Sequence, residues 1–297
     1  MNKMIIAITG AGGFLGTELL KQLSENKDVT VYAFTFESER NRSGFIKADN
    51  IIDVDNSEAY AFDYSKIDVL INCAFPRNVE GAGFSQGLDF IQKVIEKAAK
   101  DKVGSVINIS SQSVYDQSRE TPADENTEII LGTKYAVGKY CSELFVNSVC
   151  RSIRHTNLRM ASLIGAGFDQ RITNKFVKQI MDGQQLTVLG GEQRFGYLDV
   201  RDAASGIIAV ALSDGDWDEV YNLGTESSYT LCQVAENAIL AGREFGYEAS
   251  DPIIKEDINN SKQNSSLICS CFYERFSWKP DHELADTMRE IIKRCEI

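Results

Sequence analysis

Met4-Ile5-Ile6-Ala7-Ile8-Thr9-Gly10-Ala11-Gly12-Gly13-Phe14-Leu15-Gly16 is the stretch on which the fold turns. Its short apolar run reads as a buried strand. Residues 15–25, apolar at three- and four-residue intervals, read as a helix. The glycines between them have separate tasks. Gly10 allows the tight strand-to-helix turn, Gly13 lets the backbone approach a pyrophosphate at the helix N-terminus, and Gly16 lets helix and strand pack closely. The spacing is G-x-x-G-x-x-G; a G-x-G-x-x-G beginning at Gly10 and Gly12 fails, because Leu15 occupies its third glycine position. A dinucleotide is the ligand such a unit takes.

Outward from this turn, strand-length apolar runs alternate with helix-length amphipathic segments. Strands are expected at 29–34, 69–72, 106–109 and 157–161, and helices at 88–100 and 135–150. Right-handed crossovers then give an α/β Rossmann fold, a doubly wound parallel sheet. The pattern loosens after Ala161 and returns as a helix at 173–181, a strand at 186–189, a helix at 203–212 and a strand at 220–223. Helices at 231–245 and 284–295 flank a turn-rich stretch, 251–266. The expected division is a dinucleotide-binding domain, 1–164 plus about 196–224, and a smaller C-terminal α/β substrate lobe, about 165–195 plus 225–297.

The 297 residues are 43% hydrophobic, enough to fill a substantial core. Forty-three acidic residues against thirty-one basic ones leave a net charge of −12, which argues against nucleic acid and anionic membrane as partners. No apolar run approaches the roughly 18 residues of a membrane span, and no signal h-region fits. Seven cysteines without C-x-x-C spacing point to a reducing, cytoplasmic setting. With two histidines in the chain, no metal site is expected.

Cofactor choice turns on the end of the second strand, where a carboxylate would bond the ribose 2′-hydroxyl of NAD and repel the 2′-phosphate of NADP. Here that place reads Ala33-Phe34-Thr35, followed by Ser38, Arg40 and Arg42 as donors to a phosphate, so NADP is favoured over NAD. Asp53, at a third strand, either accepts a bond from the adenine amino group or caps a turn.

Tyr135 and Lys139 stand four apart in an expected helix and share one face. An ammonium group beside a phenol stabilises phenolate and brings the hydroxyl towards acid–base work at neutral pH. Ser111 follows an apolar strand, at the sheet edge where ligands of open α/β folds collect. The three suit carbonyl and alcohol chemistry.

These residues resemble the extended short-chain dehydrogenase/reductase family, in its nucleotide-sugar epimerase/dehydratase group. The likeness covers most of the chain. The turn 9–16 is similar to the family's cofactor turn, Asn72-Cys73-Ala74 to its fourth-strand end, and Ser110-Ser111-Gln112-Ser113-Val114-Tyr115 to its catalytic-serine strand. Tyr135-Ala136-Val137-Gly138-Lys139 follows, then the stretch 194–202, Tyr221-Asn222-Leu223-Gly224 and Phe276-Ser277-Trp278-Lys279-Pro280, in the family's order.

The resemblance implies Ser111, Tyr135 and Lys139 as catalytic triad, with Phe14, Leu15, Cys73 and Ala74 beside the glycines at the cofactor. It implies a nucleoside-diphosphate sugar as substrate, with Arg194, Asn174 and Lys175 facing its diphosphate and Ser113 beside the sugar, and pairing into a homodimer. Departures narrow the reaction. Dehydratase members carry Asp-Glu where Gln112 and Ser113 stand, and members that epimerise beside a ketone carry a cysteine where Ser113 stands. This leaves 4-epimerisation or reduction of a 4-keto-sugar, with a tilt towards reduction from the missing strand-end acid. Two further readings stand open: an NADPH-dependent reductase of small ketones or aldehydes, and a non-catalytic NADP(H)-sensing protein.

Overall fold

The computed structural model describes residues 3–41, 46–77, 80–256 and 263–296. In chain order the elements are β1 (Met4–Thr9), α1 (Phe14–Ser24), β2 (Val29–Thr35), α2 (Glu37–Arg40), β3 (Ile51–Asp55), β4 (Val69–Asn72), α3 (Ala82–Lys100), β5 (Ser105–Ser111) and α4 (Lys134–Val149). They continue with β6 (Arg154–Met160), β7 (Ser162–Ile164), α5 (Ile172–Met181), β8 (Thr187–Leu189), β9 (Arg194–Asp199), α6 (Val200–Ala211) and β10 (Val220–Leu223). Last come β11 (Ser228–Thr230), α7 (Leu231–Glu244), β12 (Ile253–Lys255), α8 (Ser270–Phe276) and α9 (Leu284–Cys295).

Two compact units result: residues 1–114, 131–159 and 204–221 form the first, and 115–130, 160–203 and 222–297 the second. The first is built on a seven-stranded sheet in the order β10-β6-β5-β4-β1-β2-β3. Pairings from β3 through β2, β1 and β4 to β5 are parallel, as the apolar, two-sided burial of these strands requires. The strand order reverses direction between β1 and β4, so the carboxyl ends of these two strands flank the switch point at which open α/β sheets bind ligands.

In the second unit, β9 pairs parallel with β7 and antiparallel with β11, and β8 pairs parallel with β12. Its core gathers Phe176, Val177 and Ile180 of α5, Val234 and Ala238 of α7, and Met288 and Ile291 of α9. The stretch expected to be turn-rich, 251–266, falls partly outside the described residues, and its described start carries β12 instead of a loop. Isolation explains the miss, since three exposed residues show no period of their own. Among the described residues, no helix is long and apolar enough to cross a membrane.

Candidate active site

Gly10 closes β1 with a φ of +68°, and a Cβ there would stand 2.7 Å from the Ala74 nitrogen, so only glycine fits the turn. A Cβ on Gly16 would run into the Gly10 carbonyl and Ala11, which is how α1 seats against the end of β1. Beside this turn opens a cavity of about 560 Å³, lined by Gly10 and Gly13, by Phe34 of β2 with Phe36 and Glu39 beyond it, and by Cys73, Ala74 and Phe75 beyond β4. Glycine backbone at a helix N-terminus together with a largely apolar wall fits a dinucleotide: pyrophosphate on the turn, ring systems on the wall. Phe14 and Leu15 open α1 directly behind that turn.

Thr133 starts α4, its hydroxyl accepting from the Ala136 amide at 3.1 Å. That cap fixes Tyr135 in the first helical turn, half-buried, and Lys139 one turn on, buried. The Lys139 Nζ donates to the Ile109 carbonyl of β5 at 2.7 Å and lies 6.0 Å from the Tyr135 ring centroid. Burial pushes the Lys139 ammonium below its ordinary range, opposed by Tyr135 and Cys73 nearby. Burial likewise raises the Cys73 thiol to about 12, leaving it an inert wall of the cavity.

Ser111 ends β5, two residues beyond the carbonyl that holds Lys139, and α4 packs against β5 and the single turn that follows it. The Ser111 Oγ accepts from the Ser113 amide at 3.2 Å and from the Ser113 hydroxyl at 3.0 Å. The incoming amide bond takes one acceptor site of the Ser111 oxygen and leaves the hydroxyl able to donate. Ser111, Tyr135 and Lys139 thus occupy adjoining ends of one strand and one helix in the same unit.

A buried ion pair that no sequence motif marks holds these elements together. Glu143, one turn beyond Lys139, is buried; it accepts Arg159 of β6 through two nitrogens, at 2.8 and 3.0 Å, and also takes the Ser110 hydroxyl. A chain of buried amides crosses the sheet above it. The Thr9 hydroxyl donates to Asn72 at 2.8 Å, Asn72 to Asn108 at 2.9 Å, and Asn108 to Asn157 at 2.8 Å. Polar residues inside apolar strands were the available signal. Phe75 is a second unexpected member: its ring lies 4.3 Å from the Lys139 Nζ and meets Tyr135 edge-on at 5.1 Å.

Other expected residues are placed differently. Thr35, Arg40 and Asp53 gather with one another and not on the cavity wall. The buried Thr35 hydroxyl donates to Asp53 at 2.5 Å, and the Arg40 guanidinium bridges Asp53, at 3.1 Å, and Asp55. Arg40 is therefore neutralised by two carboxylates where the sequence suggested a phosphate donor. Arg42 lies outside the described residues. In the second unit, Asn174 is buried on α5 and donates to the Gly165 carbonyl at 3.1 Å, Lys175 is exposed beside it, and Arg194 is exposed at the start of β9, 3.4 Å from the Ser228 hydroxyl.

Comparison with known proteins bears on this arrangement. A model of the NAD dependent epimerase/dehydratase family matches residues 6–224. The low-salt glycan biosynthesis protein Agl12 of Haloferax volcanii is 25% identical over 260 residues, covering 80% of this chain and 82% of that protein. The dTDP-D-glucose 4,6-dehydratase of Mus musculus is 23% identical over 301 residues, covering 93% and 84% respectively. Among solved structures, UDP-glucose 4-epimerase with UDP-glucose from Thermotoga maritima superposes with a TM-score of 0.84 at 21% identity, covering 99% of both chains. Bordetella bronchiseptica WbmG in complex with NAD and UDP gives 0.84 at 18% identity, covering 99% of this chain and 96% of that one. With the family model running from β1 to β10 across the glycine turn, the serine strand and the Tyr–Lys helix, this chain belongs to the NAD dependent epimerase/dehydratase family and is an enzyme of the short-chain dehydrogenase type.

Proposed function

We propose that the protein is an NAD-dependent 4-epimerase of a nucleoside-diphosphate sugar, with the first unit as the dinucleotide-binding domain and the second as the substrate lobe. The observation that carries the chemistry is the buried Lys139 ammonium, 6.0 Å from the Tyr135 ring and tied to β5 two residues before Ser111. Support for the substrate comes from the relatives, among them a UDP-glucose 4-epimerase holding UDP-glucose and a protein holding NAD and UDP. Gln112 and Ser113 take the places of the dehydratase Asp-Glu pair, so loss of water lacks its acid and base. The tilt to ketone reduction in the sequence rests on the missing acid at the end of β2. Against that tilt, the Glu39 carboxylate lines the cavity from beyond the strand end, and Arg40 is bound by Asp53 and Asp55.

When bound, NAD supplies a hydride acceptor for the sugar C4 hydrogen and, in the return step, the donor of that hydride to the opposite face. Tyr135 takes the proton of the 4-hydroxyl as the C4–H bond breaks, and later returns it to the 4-keto oxygen. Lys139 opposes the negative charge on the Tyr135 oxygen before the first transfer and after the second. Ser111 donates to the same sugar oxygen, and Ser113, by bonding the Ser111 Oγ, orients that donation. Atoms and electrons balance without consumption of cofactor. Arg194 and Lys175 offer charge to the diphosphate, while Asn174 shapes the start of α5.

Incubation of the purified protein with UDP-, dTDP- and GDP-sugars, followed by NMR, tests this reading. Interconversion of 4-epimers with no net change in NAD(H), inhibited by the matching nucleoside diphosphate, is the expected outcome. Stoichiometric oxidation of NADPH by a ketone, or release of water from the sugar, would contradict it.

A further inference from the structure

The cavity beside the glycine turn has an acidic wall that comes from neither strand end. Glu39 stands in the single turn of α2, four residues past the end of β2, and its carboxylate lies over Gly12, where a Cβ on that glycine would overlap it. Its Oε2 accepts the Phe36 amide at 3.0 Å, which turns the side chain back towards β1. The G-x-x-G-x-x-G turn has no need of a glycine at position 12, and the space left there is the space Glu39 fills.

The neighbouring cation is meanwhile withdrawn. Arg40 is held by Asp53 and Asp55, and the Thr35 hydroxyl is spent on Asp53. Among the described residues of this loop, the charged group facing the cavity is the Glu39 carboxylate, with hydrogen-bond acceptors to offer. Such a group favours ribose hydroxyls and repels a phosphate monoester carrying close to two negative charges.

We propose that Glu39 is the residue that selects NAD over NADP, by accepting a hydrogen bond from the adenosine ribose and opposing a 2′-phosphate. The inference rests on the dinucleotide reading of the cavity. It differs from the position the sequence points to, the end of β2, where Thr35 stands.

The test is equilibrium binding of NADH and of NADPH to protein freed of bound small molecules, followed by nicotinamide fluorescence, for the wild type, Glu39→Gln, Glu39→Ala and the control Glu37→Gln. The wild type should bind NADH on the order of a hundredfold more tightly than NADPH. Loss of a hydrogen bond to a charged acceptor should weaken NADH about tenfold or more in both Glu39 variants, with NADPH binding improved. Glu37→Gln should leave the ratio unchanged. A wild type that binds NADPH as well as NADH, or Glu39 variants that keep the wild-type ratio, overturns the proposal and leaves the dinucleotide reading standing. Binding of neither dinucleotide overturns both.

Discussion

The Lys139 ammonium lies 4.3 Å from the centre of the Phe75 ring, and the same ring meets Tyr135 edge-on at 5.1 Å. One aromatic side chain just beyond β4 therefore touches both Tyr135 and Lys139, the proposed acid–base pair. Its face attracts the cation and keeps water from it, and Gly138 makes room, since a Cβ there would stand 3.0 Å from the tip of the Phe75 ring.

Phe75→Leu keeps the apolar volume and removes the ring face. A cation–π contact of about 0.5–2 kcal/mol corresponds to roughly a 2- to 30-fold loss in kcat, with KM for the sugar little changed. Because burial is what lowers the Lys139 ammonium, Phe75→Ala, which admits water, should also move the basic limb of the kcat profile upward. An unmoved pH profile with unchanged kcat would remove Phe75 from the mechanism.

Lys139→Met should abolish turnover while leaving a folded protein. The sign of its pH dependence follows from burial. The folded-state pKa of Lys139 lies below 10.5, so the native state holds fewer protons than the unfolded chain between the two values. Its burial cost is full below the folded pKa and vanishes as pH rises towards 10.5. Urea denaturation at a series of pH values should show wild type gaining stability relative to Lys139→Met as pH rises.

Glu143→Ala leaves Arg159 as a buried charge without its carboxylate and removes the acceptor of Ser110. Breaking such a pair costs about 3–5 kcal/mol, read as a fall in the urea midpoint. Loss of kcat should accompany it, since α4 carries Tyr135 and Lys139 over the same salt bridge. Replacing Arg159 and Glu143 together by Leu and Met should recover much of the stability.

Asp199 of the second unit ties β9 to α9 by accepting Thr287 at 2.6 Å and Arg201 at 2.7 and 2.8 Å. Burial pushes its carboxyl up, but these hydrogen bonds outweigh burial and hold it below the ordinary carboxylate range. The stabilisation is present above the unfolded pKa of about 4 and is lost as pH falls through the lower folded value. Asp199→Asn should therefore destabilise at pH 7 and narrow towards wild type in acid, as thermal melts would show.

Much of this was legible in the sequence where burial imposes a period. β1, β4, β10 and α9 occupy the expected residues, because each is a mainly apolar run or a strongly amphipathic face. α3 starts at Ala82, six residues before expected, since Gly83 and Gly87 conceal its first turns; a Cβ on Gly87 would overlap Pro76, so packing overrides propensity there. β9 escaped notice behind an exposed Arg194 and a glycine, although its last four residues are buried.

In the site, the roles proposed for Ser111, Tyr135 and Lys139 come from the sequence, where their spacing has a meaning of its own. Glu39 was not, because a four-residue helix leaves no periodic trace and the strand-end position drew attention to Arg40. Phe75 read as one more apolar residue, and only its neighbours across the sheet give it a role.

The most direct measurement is the turnover of Tyr135→Phe on the sugar nucleotide that the wild type epimerises, with NADH binding measured on the same preparation. Binding should stay close to wild type while kcat falls by roughly a hundred- to ten-thousandfold, the share expected of a positioned proton carrier. A Tyr135→Phe enzyme that binds NADH and keeps turnover within a few-fold of wild type would contradict the assignment of Tyr135 as the group that moves the proton.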